Sequence, residues 1–405
     1  PACNTRLRFP QTCLFSMKRV VLIGVLLAAL AGACKREGET TPATPVDCLV
    51  SASPNNGVVI PGEFIVTFRQ TEELPGGTVA RRADPVSAVL TEYALPASAV
   101  EARFEGSAPG LVAHLTDAQA ARLSRDARVL AVEPDRIVSM CGCLDVVEPR
   151  SLTWSVRKTG YGNGLNFADK TAWIIDTGID LDHPDLRVDQ TRSRSFVSGQ
   201  PSADDQNGHG THVAGIIGAL NNRTGLLGVA SGANLVALKV LDEDGEGKLS
   251  ATIQAVAHVA RNGQPGDVVN LSLGGDGISA SLEREVKAAA DRGILFAIAA
   301  GNEGKPARDY SPARLNHANV FTVTAVDSTD RFASFSNYGN DVVDVAAYGV
   351  RVPSTYRNGR YAILSGTSMA APHVAGLLLI RGNRLPTRGT ARNDPDGVAD
   401  AIARE

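Results

Sequence analysis

The chain has 405 residues, 43% of them hydrophobic and 20% charged, so two or three domains with a buried core are expected. A formal net charge of -3 excludes a strongly basic surface, and nucleic acid is not an expected partner. No cysteine follows Cys143, which excludes disulfides, a thiol nucleophile and cysteine-ligated zinc from the C-terminal two-thirds.

Residues 1–16 precede Met17 and read as upstream sequence carried into the gene. Met17-Lys18-Arg19 opens an apolar run from Val20 to Ala33. The run is shorter than the roughly 20 residues of a membrane span, and its charged start makes 17–34 a signal peptide. It ends Leu30-Ala31-Gly32-Ala33-Cys34. Small residues before a cysteine resemble a bacterial lipoprotein signal, with Cys34 as a lipid anchor; ordinary signal cleavage is the alternative. Export from a bacterial cell is expected either way. Residues 35–57, rich in Thr, Pro, Ser, Asn and Gly, read as a flexible tether.

A small folded unit is expected over 58–140. Glu63 to Phe68 alternates like a strand, and Leu111 to Leu115 reads as another. Thr116-Asp117-Ala118-Gln119 is a capping box that opens a helix to about Arg125. Val129 to Val132 is a further strand, followed by Glu133-Pro134-Asp135-Arg136. The pattern is that of a small α+β sandwich. Cys141 and Cys143 are one residue apart and read as free thiols, because a ring between them is strained.

From 141 to 405 strands alternate with helices. Short apolar runs cover Ala172 to Asp176, Asn234 to Leu241, Asp267 to Leu273, Gly293 to Ala300 and Asn319 to Val326. Helical stretches lie at Ser250 to Arg261 and Ser279 to Arg292. Such alternation predicts an α/β fold, a mainly parallel sheet between helices, with its site at the carboxyl ends of the strands. The tail from Arg381 reads as short, polar and turn-like.

Three segments carry the chemistry: Asp176-Thr177-Gly178-Ile179-Asp180, Asn207-Gly208-His209-Gly210-Thr211-His212, and Ser365-Gly366-Thr367-Ser368-Met369-Ala370-Ala371-Pro372. Together and in this order they resemble the subtilisin family of serine peptidases, over about residues 145–380. The resemblance implies a three-layer fold, hydrolysis of peptide bonds through an acyl-enzyme, and protein and peptide substrates. A serine hydroxyl is a weak nucleophile at neutral pH. His209 would take the Ser368 proton and return it to the leaving amine, and Asp176 would fix the imidazole tautomer. Ala300-Gly301-Asn302-Glu303 resembles the family's oxyanion segment, with Asn302 as donor. Leu271, Ser272, Leu273 and Gly274 match one wall of the substrate groove, and with Ala300 and Gly301 they would line S1. No acid or base is evident in those stretches, so a broad, apolar P1 preference is expected. Asp185 with Leu220, Asn222, Thr224 and Leu226 matches a family calcium (Ca2+) site of oxygen donors. Residues 58–140 resemble the family's inhibitor-like propeptide, removed by self-cleavage between about 138 and 150. A monomer is expected. A narrow-specificity processing protease and a catalytically silent, surface-anchored binding protein are the alternatives.

Overall fold

The first folded part of the chain runs β1 (Val59–Phe68), α1 (Pro85–Glu92), β2 (Val100–Phe104), β3 (Gly110–His114), α2 (Asp117–Leu123) and β4 (Val129–Ser139). The computed structural model describes residues 53, 55–70, 85–140, 145–146 and 152–405. The expected upstream segment, signal peptide, Cys34 anchor, most of the tether, Cys141 and Cys143 lie outside these. No helix among the described residues is long and apolar enough to cross a membrane.

The four strands form an antiparallel sheet in the order β2-β3-β1-β4. Alternation in β1 sends successive side chains to opposite faces. Val66 and Phe68 pack with Val89, Leu90 and Leu123 of the two helices. Ile65 joins Leu249, Leu282 and Val286 of the following domain. The sheet is therefore apolar on both sides. Thr116 caps α2 with the full reciprocal box. β4 runs on past Pro134 to Ser139, further than the apolar run suggested. The end of the expected tether is a turn rather than loose chain, with Asn56 N–H donating to Ser53 O and Ile137 N–H to Val58 O.

The second part begins with β5 (Asp145–Val146), α3 (Trp154–Lys158), β6 (Thr171–Asp176), β7 (Arg194–Ser195), α4 (His209–Gly218), β8 (Asn234–Lys239), β9 (Glu246–Lys248) and α5 (Leu249–Asn262). It continues through β10 (Val268–Leu271), β11 (Gly275–Asp276), α6 (Ala280–Asp291), β12 (Leu295–Ala299), β13 (Tyr310–Ser311), β14 (Val320–Val326) and β15 (Val345–Tyr348). It ends with β16 (Val352–Tyr356), β17 (Arg360–Leu364), α7 (Thr367–Arg381), β18 (Thr387–Thr390) and β19 (Ala401–Ala403). The main sheet has the order β18-β19-β15-β14-β12-β10-β6-β8-β7, and every pairing except β18 with β19 is parallel. Helices cover both faces of a parallel sheet, so its strands are apolar throughout. The side chains of α4 and α7 share one core, and those of α5 and α6 the other. The architecture is the expected three-layer α/β arrangement.

The tail corrects the reading of a polar turn. β19 extends the sheet beside β15, with Ala346 opposite Ile402, and Ala391, Ile402 and Ala403 are buried. Three residues are too few to show a period.

Candidate active site

Three elements meet at the carboxyl edge of the sheet. β6 ends on Asp176, α4 starts on His209, and Ser368 is the second residue of α7. α4 packs against α7. Asp176 Oδ1 lies 2.7 Å from His209 Nδ1 and also accepts the Thr177 N–H at 2.7 Å. Both side chains are fully buried. With Nδ1–H given to the carboxylate, Nε2 is the basic nitrogen, and it has no hydrogen-bond partner among the described residues.

The turn before His209 is held by a buried carboxylate. Asp205 accepts from Thr177 Oγ1 at 2.9 Å, Gly208 N–H at 2.8 Å and Thr211 N–H at 2.9 Å. These bonds tie α4 to the end of β6. A side chain at Gly210 would place its Cβ 2.1 Å from Gly178 O and 3.1 Å from Asp176 Cβ, so glycine there permits the close approach of imidazole and carboxylate. Lys239, buried at the end of β8, donates to Thr177 O and Leu241 O, each at 2.7 Å. Burial pulls its pKa down, opposed by Asp205, Asp242 and Asp176.

Ser368 is fixed by the groove wall. Pro372 lies four residues on and has no N–H, so the Ser368 carbonyl lacks its helical partner. Ser272 Oγ donates to that carbonyl at 2.8 Å. Ser368 Oγ in turn donates to Ser272 O at 3.0 Å. The hydroxyl is thus turned to the groove strand and not to His209 in this conformation. The hydroxyl can turn about one side-chain bond with three staggered wells. Catalytic hydrogen bonds often tighten only around substrate. Asn302 Oδ1 accepts the Thr367 N–H at 2.7 Å. Its amide NH2 is therefore the opposite end, and Asn302 lines one cavity with Ser368.

That cavity is the deep end of a groove. Leu273, Gly274, Ala299, Ala300, Gly301, Tyr310, Pro312 and Ala313 wall it. Glu303, just beyond the S1 stretches named from the sequence, lines it too. Burial raises the Glu303 pKa, while Asn337 and the Asn302 N–H hold the carboxylate. The second wall, β9, was not identified from the sequence. The strand end Ile137–Ser139 pairs antiparallel with β9, as Ile137 with Lys248, Val138 with Gly247 and Ser139 with Glu246. On its other side Ser139 N–H donates to Gly274 O at 3.4 Å, while on the β9 side Met140 N–H donates to Gly245 O at 3.1 Å. The first folded unit therefore lays its last strand between the two walls, as an added strand.

The sequence profile of the Subtilase family, peptidase S8, matches residues 173–392. The chain belongs to the subtilase family. The peptidase inhibitor I9 profile matches residues 63–140, so this subtilase is a serine endopeptidase carrying an inhibitor-type propeptide. It is 42% identical to a thermostable alkaline protease of Halalkalibacterium halodurans, over 69% of this chain and 74% of that protein. It is 37% identical to the M-protease of Shouchella clausii, over 80% and 82% of the two chains. Among solved structures, a cold-adapted subtilisin-like serine proteinase superposes with a TM-score of 0.55 at 33% identity, covering 63% of this chain and 98% of that one.

Away from the groove, Asp185 of the subtilase is wrapped by the loop 220–226. Leu220 N–H donates to Asp185 O at 2.9 Å, and Leu226 N–H to Asp185 Oδ2 at 2.7 Å. Asn222 Oδ1 accepts from Thr224 N–H and Oγ1 at 3.0 and 2.9 Å. Asp185 Oδ1 is buried and makes no hydrogen bond among the described residues. Burial pushes the Asp185 carboxyl up to about 6. Glu63, Glu101 and His114 cluster on the propeptide, but Lys248 Nζ bonds both carboxylates at 3.0 and 2.7 Å. His212 Nε2 is given to Val352 O and Ala362 O, and burial pushes its pKa down to about 3; its role is packing.

Proposed function

We propose that this subtilase is exported and cuts proteins by an Asp176–His209–Ser368 triad, with Asn302 and the Ser368 N–H stabilising the oxyanion, and that it is held silent by its propeptide until self-cleavage. The observation that carries the reading is the 2.7 Å Asp176–His209 contact, whose histidine starts a helix packed against the one that carries Ser368 at the end of a strand-filled groove. His209 Nε2, left basic by Asp176, removes the Ser368 proton as Oγ attacks the carbonyl carbon. The proton then passes to the leaving amine, and water repeats the sequence on the acyl-enzyme. The apolar walls Leu273, Ala300 and Ala313 favour an apolar or aromatic P1.

The register of the propeptide strand supports one choice of scissile bond. In an antiparallel pair, advancing two residues on one strand retreats two on the other. Ser139 bonds Gly274, and a substrate held in the same register would have its residue two positions further on opposite Ser272. Ser139 is then P3, and the processed bond is Cys141–Gly142, within the interval expected from the sequence. N-terminal sequencing of the self-processed enzyme should give Gly142 as the first residue. A first residue at 146 or later would contradict this register.

Asp185 fits a calcium ligand through its orphaned, buried Oδ1, joined by oxygens of Leu220, Asn222, Thr224 and Leu226. The ion would supply positive charge that ties two loops together, with no part in bond cleavage. Metal-free, the raised Asp185 pKa adds stability below the usual carboxylate range and loses it as pH rises through about 6. Calcium favours the charged form, so its stabilising effect should grow from pH 5 to pH 7.5. At a hundredfold excess over its Kd the gain is about 2.7 kcal/mol, or roughly 5–10 °C in Tm. Asp185→Asn should abolish the increment. A Tm indifferent to calcium and chelator at pH 7.5 would remove the ion from this account.

A further inference from the structure

We infer that Glu246 makes the β9 wall a charge-reading edge that favours a basic side chain at P3 of substrates. This rests on the peptidase reading above, which supplies the P3 position. Ser139 and Glu246 are directly opposite in the antiparallel register, and directly opposed side chains project from the same face within reach of each other. In the inhibited enzyme Ser139 carries no charge, and its buried Oγ makes no hydrogen bond among the described residues. The Glu246 carboxylate is instead served by neutral donors, Ser53 Oγ and Asn55 Nδ2. Both donors lie ahead of β1 and leave with the propeptide. Removal of the propeptide therefore strips Glu246 of these partners and opens the position across from it in one event.

The surrounding charges strengthen this. Asp242, Glu243 and Asp244 precede Glu246 in the same turn. Asp242 Oδ1 accepts the N–H groups of Asp244 and Glu246, each at 3.0 Å, which fixes the turn and the start of β9. Gln200 holds the Glu243 carboxylate. The cation on this edge is Lys248, opposite Ile137 at P5, and in the inhibited enzyme it is taken by Glu63 and Glu101 of the propeptide. An extended substrate with Lys or Arg at P3 brings a cation to the carboxylate. A P3 Glu brings a second anion to an already acidic turn.

The test uses self-processed enzyme from the full chain and quenched peptides with Phe at P1 and Lys, Ala or Glu at P3. At low ionic strength kcat/KM should favour P3 Lys over P3 Glu by about fivefold, the scale of a half-exposed ion pair, and 0.5 M salt should shrink the ratio through screening. Glu246→Gln should bring the ratio to about one, and Glu246→Lys should invert it, by the same pairing rule. Lys248→Gln, which removes a competing cation, should leave it at least as large. A wild-type ratio below about twofold, smaller than an exposed pair should give, or one unchanged by Glu246→Gln, overturns the P3 reading while the cleavage itself leaves the peptidase reading standing. Cleavage of none of the peptides overturns both.

Discussion

Ser368→Ala should accumulate as uncut precursor and lose about 10⁶-fold in kcat, the magnitude known from subtilisin itself. The argument is that one hydroxyl serves two reactions. The propeptide strand Ile137–Ser139 already lies along the groove, so the first bond presented to Ser368 is the chain's own. Fold and groove should survive the change, because the Ser272 Oγ bond to the residue 368 carbonyl uses backbone. Intact mass and a peptide-hydrolysis assay read the two losses separately. Adding a trace of active enzyme should trim the variant to a folded but inactive product. Fully processed Ser368→Ala made without other proteases would mean that another enzyme matures this subtilase.

Asn302→Ala should cost about 10²–10³ in kcat, or roughly 2.7–4 kcal/mol, a figure taken from the corresponding donor of subtilisin. The loss falls on kcat because the amide meets charge that exists only in the transition state. Asn302 also accepts the Thr367 N–H at 2.7 Å, so the variant leaves a buried donor at the start of α7. That adds a stability loss of about 1–3 kcal/mol. Asn302→Asp keeps the acceptor and removes the donor. It should recover most of the Tm and none of the rate. A kcat within tenfold of wild type in either variant, well short of the loss expected for an oxyanion donor, would assign the oxyanion to other donors.

The short motifs around Asp176, His209, Asn302 and Ser368 were legible because each needs small residues at fixed places, as at Gly210. The strands and helices of the main domain were legible from apolar runs, since a parallel sheet buries both faces. The β9 wall was not. Gly245-Glu246-Gly247-Lys248 has turn composition, and it becomes a strand only because another strand lies beside it. The extension of β4 was hidden by Pro134, which breaks the alternation one expects of a strand. The bond between Ser272 and the Ser368 carbonyl follows from Pro372, yet its donor lies 96 residues away. Asp205 belongs to none of the motifs, and its role in holding the turn depends on Thr177 and Thr211 arriving from two other elements.

Stoichiometric labelling of the processed enzyme with a fluorophosphonate, followed by peptide mass mapping, tests the triad most directly. The label should sit on Ser368 at one equivalent per chain, and His209→Ala, trimmed by a trace of active enzyme, should take it up orders of magnitude more slowly, because Oγ then lacks its base. A folded, processed enzyme that takes no label, or takes it on another residue, would contradict the assignment of Ser368 as the nucleophile.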